Sequence, residues 1–547
     1  MAPKIPFLVR VTVPSAAFCA ANILFFPQLF SSTPLSRLFF ICVTAHGLLW
    51  FVFHCAIYPV FLSPLRHLPG PKGFIPVYSH FRTQLQRPAG QAYLNFASSI
   101  PNDGILRLHN IFNIDQIMLT SPQTLAEVLV HKSYEFEKPK EVRSFLRLIL
   151  GNGLIIVEGD VHRFQRKHVA PAFHFRHIKE LIPIFWKKSI ALRDGVVAEV
   201  REKAEADGRG VAEINHWANK VTMDIIGVAG LGRDFNSLKN NDDELVKNYE
   251  EILDPTTERL AFFIANLVFG RGVISLLPWK MNQKLEETTG RLREICMGLV
   301  RDKRQLMKGG SEGELDILSL LIKSNSFDDT MLVDQLLTFL AAGHETTSSA
   351  FTWATYLLAK HPEIQTRLRE EVRSNLPSPS SPDSTVDLAS VLESLPLLHA
   401  VCNETLRLYP TVPSTIRFAT KDTTINNQHI PKGTRIQIVP WAINRSQQLW
   451  GPNAEKFCPE RWIDKDGHAN NTGGVTSNYA NLTFLHGPRS CIGEKFAKSE
   501  LKALVAVFCA SFQMEMADLN EVAEPAGVIT TKPKNGMNLR LKALEGW

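Results

Sequence analysis

The chain has 547 residues, and its 60 basic and 54 acidic side chains leave a formal net charge of +6. That charge is too small, and the basic residues are too dispersed, for a protein that mainly binds nucleic acid. Eight cysteines in so long a chain, with no CxxC pair, exclude a disulfide scaffold and indicate a reducing compartment. The length and the 45% of hydrophobic residues allow a large globular core.

An uncharged segment near the N-terminus predicts a membrane anchor over 1–62. No Asp, Glu, Lys or Arg occurs over 38–65, and a helix over 38–58 is long enough to cross a bilayer, which takes about 20 residues. A cleaved signal peptide or a buried core helix is the alternative, although the apolar part of a signal peptide covers only about 7–15 residues. An earlier uncharged run over 11–30 contains two prolines and is a second span, an interfacial helix or a poor signal-like segment.

A proline- and glycine-rich segment over 63–73 comes directly after the apolar run and predicts a semi-rigid hinge. Arg66 and Lys72 lie in this segment, and basic residues on this side of a span favour a cytoplasmic location for the globular part of the chain. That part, 74–547, shows no composition break that would indicate a second catalytic domain.

The elements of the globular part are those of a mainly α fold with small β-sheets. Helical patterns predict helices over 194–206, 281–308, 329–360 and 494–508. Short β-like runs predict strands over 104–108, 116–120, 423–425, 435–439 and 537–541.

Three segments of this part carry residue types that are typical of functional sites. A basic segment contains His162 and Arg166; taken alone, such cations are usually exposed. The middle of the helix predicted over 329–360 reads Ala-Gly-His-Glu-Thr-Thr, which alone is more typical of a kinked core helix, because threonine hydroxyls bond back to the preceding turn. Glu404 and Arg407 form an i, i+3 pair, usually a solvated contact worth a few tenths of a kcal/mol.

The most informative segment surrounds Cys491. Gly487 and Gly493 flank the cysteine, Arg489 precedes it by two residues, Phe484 lies seven residues before it, and a predicted helix begins just after it. A thiolate that binds iron needs a close approach of the backbone and a helix N-terminus to stabilise its charge. A lone cysteine is more often a buried structural residue, but the complete pattern favours the ligand.

This pattern resembles the haem-binding loop of the cytochrome P450 family, with the same residue types in the expected positions. The resemblance extends from the hinge to the C-terminus and implies the cytochrome P450 fold, with the anchor of membrane-bound, eukaryotic microsomal members. It implies haem b (iron protoporphyrin IX) as the cofactor, with Cys491 as the axial ligand of the iron.

The resemblance also implies roles for the other motifs. Glu345 and Thr346 fall where the family has its acid–alcohol pair, which delivers protons during O2 cleavage. Glu404 and Arg407, with Arg461 of a Pro-Glu-Arg-Trp sequence, imply a buried structural cluster. Haem carboxylates need cationic partners, and the matching positions are His162 (where the family commonly has Trp), Arg166 and Arg417.

The substrate pocket is implied by the resemblance alone. The matching segments are mostly apolar and small, which suits a lipophilic, neutral or weakly polar molecule. The loop over 137–153 corresponds to a variable lid. The pocket residues are Phe339, Leu340, Ala342, Thr346, Val412, Ser414, Thr415, Val528 and Ile529.

The implied activity is insertion of one oxygen atom from O2 into a lipophilic small molecule, by hydroxylation, epoxidation or multi-step oxidation. No flavin or nicotinamide fingerprint occurs, so NADPH and flavins would act through a separate NADPH-cytochrome P450 reductase, with cytochrome b5 as a second candidate donor. The reductase would dock on Arg163, Lys167, Lys495 and Lys498. The implied location is the endoplasmic reticulum membrane, with the catalytic domain on the cytosolic face.

The N-terminal segment and the hinge look similar to those of fungal biosynthetic members of the family. This resemblance points to tailoring of a terpenoid, polyketide or alkaloid in secondary metabolism. Two alternatives stay open. One is a haem-thiolate isomerase or dehydratase that acts without O2, and the other is a non-catalytic haem-binding protein.

Overall fold

The computed structural model describes residues 12–17, 20–21, 35–73, 80–240, 242–253, 257–309, 316–379, 386–527 and 529–547. The predicted second span over 11–30 therefore lies largely outside the described residues. Within it, residues 12–17 and 20–21 are helical.

The predicted anchor is a long apolar helix. An α-helix over Leu35–Val52 continues as π-helical turns over Phe53–Leu62. Ser36–Leu62 has 27 residues and a mean hydropathy of 1.9, and few of its side chains are buried. By length and composition, this helix can cross a membrane.

The hinge is fastened to the first strand of the globular part. Leu65 is buried beneath the sheet. The backbone N–H of Arg107 donates to the carbonyl of Pro69 at 2.7 Å, and a Cβ on Gly70 would lie 2.3 Å from the carbonyl oxygen of Arg107. The Arg107 side chain donates to the carbonyl of Pro59 at 2.6 Å, which ties the end of the anchor helix to the same strand. The segment therefore packs on the globular part through these contacts.

The globular part is mainly helical, as the sequence predicts. Two helices carry the site: the central helix, Asp329–Lys360, and the cysteine helix, Glu494–Ser511. The other α-helices are Phe81–Gln84, Gln91–Ser99, Pro122–Ala126, Lys140–Leu150, Gly159–Val169, Phe175–Glu202, Ile214–Ile225, Glu244–Leu253, Thr257–Phe269, Arg271–Ile274, Lys280–Lys308, Ile317–Lys323, Pro362–Asn375, Leu388–Ser394, Pro396–Leu408, Pro440–Ile443 and Gln447–Trp450. Short π-helical or 3-10 segments are Ile111–Asn113, Glu127–His131, Ser133–Glu135, Ala170–Phe173, Ile226–Leu231, Pro459–Trp462, Asn478–Ala480 and Gly487–Arg489.

The central helix has the predicted bounds because both of its ends carry strong signals. Asp328 accepts a hydrogen bond from the backbone of Met331 at 2.7 Å, and Pro362 comes two residues after the last helical residue. The helix predicted over 194–206 was wrong at both ends. Residues 194–202 are the last third of the helix Phe175–Glu202, which includes Pro183.

The described strands form small sheets. A five-stranded sheet has the order β1-β2-β8-β5-β3, with β2 and β8 parallel, and a three-stranded sheet has the order β4-β12-β9. Two hairpins, β6-β7 and β10-β11, complete the set. The strands are β1 Ile105–His109, β2 Asp115–Leu119, β3 Phe136–Glu137, β4 Arg209–Glu213, β5 Thr415–Ala419, β6 Thr423–Ile425, β7 Gln428–Ile430, β8 Arg435–Ile438, β9 Phe512–Met516, β10 Pro525–Ala526, β11 Lys532–Pro533 and β12 Asn538–Ala543.

The central helix runs through the largest apolar core and packs on the helices Ile214–Ile225 and Lys280–Lys308 and on the cysteine helix. Its residues are buried over 332–340 and 347–358, yet Ala342, between these stretches, is exposed. Ala342 is exposed because no element of the described residues covers this side of the helix at that point. The fold therefore leaves an opening on one side of this helix.

Candidate active site

The loop before the cysteine helix holds Cys491 in a fixed position. Gly487 has a φ of 77°, and a Cβ there would lie 2.2 Å from the carbonyl oxygen of Leu129, so this position requires glycine. The backbone N–H of Cys491 donates to the carbonyl of Phe484 at 2.8 Å. Gly493, by contrast, has an ordinary φ of −88° and caps the cysteine helix.

The Cys491 sulfur combines a deep position with access to open space. Burial raises the pKa of its thiol to about 11, although the backbone N–H of Gly493 hydrogen-bonds to the sulfur and opposes the rise. A cavity of about 420 Å³ lies beside it, lined by Arg166, Ala170, Phe173, His174, Ile492, Glu494, Lys495 and Lys498. Cys296, Cys402 and Cys509 are buried, with at most 2% of their surface exposed, whereas Cys491 is exposed.

A cluster of cations lies close to the cysteine loop. It contains Lys138, Arg417 of β5 and Arg489, and Glu158 is the carboxylate that pairs with them among the described residues. Lys138 Nζ lies 3.3 Å from Glu158, and Arg489 also forms an ion pair with this carboxylate. Three cations and one carboxylate leave an excess of two positive charges inside the fold.

The excess charge is costly in the protein alone. Burial, with repulsion from Arg417 and Arg489, lowers the pKa of Lys138 to about 8. Burial, with repulsion from Arg489, lowers the pKa of Arg417 to about 10. The Arg489 side chain is 5% exposed, and its Nε and Nη2 atoms have no hydrogen-bond partner among the described residues. Such donors call for a bound anion.

His162 and Arg166 lie beside this cluster on the helix Gly159–Val169. Nδ1 of His162 lies 3.2 Å from the hydroxyl of Tyr134, and burial lowers the pKa of the imidazole to about 4, so it is neutral. Arg166 donates to the carbonyl of Ser490 at 2.6 Å and thereby holds the cysteine loop.

The motif in the central helix faces the opening. Ala342 is exposed, and the hydroxyl of Thr346 donates to its carbonyl at 2.8 Å. A Cβ on Gly343 would lie 2.7 Å from Cδ1 of Ile226, so glycine lets a neighbouring segment approach. Oε1 of Glu345 lies 2.8 Å from Nζ of Lys532 on β11. Burial opposes the charge of Glu345, but the Lys532 ammonium outweighs it and holds the pKa of this carboxyl below its usual range.

The predicted Glu-Arg-Arg cluster is assembled. Both Glu404 and Arg407 are fully buried and form two hydrogen bonds of 2.8 Å, and Arg461 donates to the same carboxylate at 3.0 Å. The indole of Trp462 adds a fourth donor at 2.9 Å. Burial opposes the charge of Glu404, but the guanidiniums outweigh it and hold its pKa below the usual range.

Asn444 connects this cluster to the cysteine loop, and no local sequence pattern predicted it. Its carbonyl accepts from Arg407 at 2.6 Å, and its side chain accepts from the backbone of Leu482 and donates to the hydroxyl of Thr483, at 2.8 and 2.9 Å. Phe484, where the loop begins, is the next residue. Lys138, Glu158 and Lys532 were not predicted either, because only the folded chain brings them to the predicted residues.

The predicted pocket residues divide into two groups. Ala342 and Ile529 are exposed, and Val412, Ser414 and Thr415 are partly exposed. Leu340 has no exposed surface, and Phe339 packs edge-on against Phe173 with 5.4 Å between ring centroids. Val528 lies outside the described residues.

Comparison with known proteins identifies the family. The sequence profile of the Cytochrome P450 family matches residues 103–539. The chain is 40% identical over 531 residues to cytochrome P450 monooxygenase sphH of Aspergillus fumigatus, covering 96% of this chain and 97% of that protein. It is 38% identical over 501 residues to cytochrome P450 monooxygenase ptmK of Penicillium ochrochloron, covering 91% and 97%.

The chain therefore belongs to the cytochrome P450 family. It is an oxidoreductase of the monooxygenase class, and its family implies haem. Family members generally use a redox partner and act on lipophilic substrates. The residues present fit haem in two respects: Cys491 keeps exposed surface at the start of a helix, and the excess positive charge next to its loop is opposite in sign to the two haem propionates.

Proposed function

We propose that this protein is a membrane-anchored monooxygenase with haem b held by Cys491. It inserts one oxygen atom of O2 into a lipophilic small molecule RH, with the balance RH + O2 + NADPH + H+ giving ROH + H2O + NADP+. The observation that carries the proposal is the pairing of Cys491, exposed at the N-terminus of a helix, with a buried excess of positive charge next to its loop.

Each part of this site has a defined task. Haem, when bound, supplies the iron that activates O2, and the thiolate donates electron density that favours O–O cleavage. The Gly493 N–H and the helix N-terminus stabilise the charge on the sulfur. Arg417, Arg489 and Lys138 hold the propionates, with the neutral His162 and Arg166 beside them.

Two residues of the central helix, Glu345 and Thr346, would hold and move protons at the opening beside Ala342. The Thr346 hydroxyl, which bonds to the Ala342 carbonyl, can turn toward the opening and donate there. The Glu345 carboxylate is charged and can take a proton from solvent and pass it inward. Glu404, Arg407 and Arg461 position the cysteine loop and take no part in the chemistry.

Electrons come from NADPH through a separate reductase, with cytochrome b5 as a second candidate donor. Of the four predicted docking cations, Arg163 pairs with Asp160 and Lys498 pairs with Glu494, each at 2.8 Å. Lys167 and Lys495 are exposed and offer the stronger attraction to an acidic partner.

The anchor and the relatives support the cellular role that we propose. A membrane helix with Arg66 and Lys72 on its C-terminal side favours a catalytic part on the cytosolic face of the endoplasmic reticulum. The similarity to fungal monooxygenases supports a tailoring step in secondary metabolism, on a terpenoid, polyketide or alkaloid. The apolar side chains of the predicted pocket that are exposed, Ala342 and Ile529, favour a neutral, lipophilic substrate.

The direct test is the absorption spectrum of dithionite-reduced, CO-treated membranes. Wild type and the control Cys402→Ala, which alters a buried cysteine, should both show the red-shifted Soret band of thiolate-ligated haem. Cys491→Ala should lose it. Retention of that band in Cys491→Ala would contradict the assignment of the ligand.

A further inference from the structure

The hairpin β10-β11 is fixed against the central helix. The carbonyl of Thr531 accepts hydrogen bonds from the indole N–H of Trp353, at 3.1 Å, and from the hydroxyl of Ser349. The backbone N–H of Thr531 donates to the carbonyl of Thr411 at 2.9 Å. These contacts hold the first residues of β11 next to the motif that contains Glu345.

Lys532 is the next residue and contacts Glu345. Its Nζ lies 2.8 Å from Oε1, and the side chain of Thr530 also hydrogen-bonds to this carboxylate. The Lys532 side chain is 33% exposed and that of Glu345 is 22% exposed, so the pair connects solvent to the central helix. The other titratable groups that face Glu345 are His344 and Tyr249; burial lowers the pKa of His344 to about 4 and raises that of Tyr249 well above its ordinary value, so both are neutral.

We propose that Lys532 is the positioning residue for proton delivery: it keeps the Glu345 carboxylate charged, ordered and in contact with solvent, ready to pass protons to Thr346. This inference rests on the proposed function, because it assigns a partner to the carboxylate of that mechanism. Since His344 is neutral, no other cation among the described residues pairs with Glu345 at this distance. Without Lys532, the half-buried carboxylate would lose its counter-charge and its fixed orientation.

Lys534 provides a matched control on the same hairpin. It lies two residues further along and pairs with Glu524 at 2.9 Å. Both lysines therefore form ion pairs of nearly equal length from one hairpin, but only Lys532 reaches the proposed proton path.

The test needs no knowledge of the substrate. Without substrate, a monooxygenase of this class reduces O2 slowly in one of two ways. Two-electron reduction gives O2 + NADPH + H+ → H2O2 + NADP+, and four-electron reduction gives O2 + 2 NADPH + 2 H+ → 2 H2O + 2 NADP+. Water forms only when protons reach the bound oxygen fast enough to cleave the O–O bond. The H2O2 released per NADPH oxidised therefore reports proton delivery.

We would measure this ratio for the full chain in membranes with a reductase. Lys532→Met should raise the H2O2 yield several-fold and increase the solvent isotope effect on water formation, and Glu345→Gln should do the same. Lys532→Arg, which restores a cation, should return both values toward wild type. Lys534→Met should leave them unchanged. If Lys532→Met does not retain haem, Lys532→Gln carries the same expectation.

The outcomes separate this inference from the function on which it rests. If the reduced CO spectrum lacks the thiolate signature in wild type, the proposed function fails. If that spectrum is normal and Glu345→Gln raises the H2O2 yield while Lys532→Met and Lys532→Gln do not, the role of Lys532 is overturned and the function stands. An equal rise in Lys534→Met would also overturn it, because the effect would then belong to the hairpin as a whole.

Discussion

Two charged regions lie close to the cysteine loop, and they are built on opposite principles. Around Glu404 and Arg407, charges are matched and the buried carboxylate receives donors from Arg407, Arg461, Trp462 and the backbone of Cys458. Around Lys138 and its neighbours, positive charge is in excess and donors of Arg489 have no partner among the described residues. The donors of the first region are matched within the protein, whereas the second region keeps donors for the anion that we propose. Removing a charge should therefore destabilise the first region more than the second.

The largest effect is expected from Arg407→Leu. It leaves Glu404 buried with less counter-charge, and breaking a buried pair from one side costs roughly 3–5 kcal/mol. We expect little folded, haem-containing protein, measured by thermal unfolding and haem content. Arg367→Leu, which removes an exposed ion pair with Glu460, is the control and should change little. Wild-type stability in Arg407→Leu would show that the cluster does not hold the loop.

Arg489→Leu tests the second region, where positive charge is in excess. It breaks the ion pair with Glu158, but Glu158 keeps Lys138 as a partner and one cation of the excess is removed, so the protein without haem should lose much less stability than Arg407→Leu does. Affinity for haem should fall by about 10- to 100-fold, since a charged hydrogen bond is worth roughly 1.5–3 kcal/mol. Urea unfolding of the apoprotein and haem titration measure the two effects. A loss of apoprotein stability as large as that of Arg407→Leu would remove the distinction between the regions.

Lys138 should make the stability of the apoprotein depend on pH. Its pKa is about 8 in the protein without haem and about 10.4 in an unfolded chain, so between these values the unfolded state binds more protons. The apoprotein should therefore gain stability from Lys138, of the order of 1–3 kcal/mol, as pH rises from about 8 to about 10. The free energy of unfolding of the apoprotein, measured at several pH values, should rise more steeply with pH in wild type than in Lys138→Met. An identical pH dependence in both would contradict the charge excess.

The sequence predicts a region of the site only where the residues of that region lie close together along the chain. The cysteine loop could be predicted because its residues fall within one short segment whose spacing is dictated by a turn and a helix start. Glu404 and Arg407 could be predicted for the same reason. Lys138, Asn444 and Lys532 could not, because each acts on a residue far away along the chain, and a single lysine or asparagine has no local pattern. The strands β10 and β11, with two residues each, are likewise fixed by their packing on the central helix.

The smallest effect is expected at the exposed cations beside the Cys491 cavity. Lys495→Glu should slow reduction by the reductase several-fold at low salt and less at high salt, because screening weakens exposed charges. The reduced CO spectrum should be unchanged. Stopped-flow reduction at two ionic strengths measures this, with Lys465→Glu, on the loop 464–477, as the control for charge alone. An unaltered rate would mean that the reductase docks elsewhere.

The central claim is that the buried cations bind the carboxylates of haem. Its most direct test is a titration of the apoprotein with two porphyrins. One is haem, and the other is haem with both propionates esterified, which has the same iron and ring but no negative charges. We predict that the ester binds to wild type roughly a hundred-fold more weakly than haem does. In Arg489→Leu, the difference in affinity between haem and the ester should be smaller. Equal affinity for both porphyrins would contradict the claim.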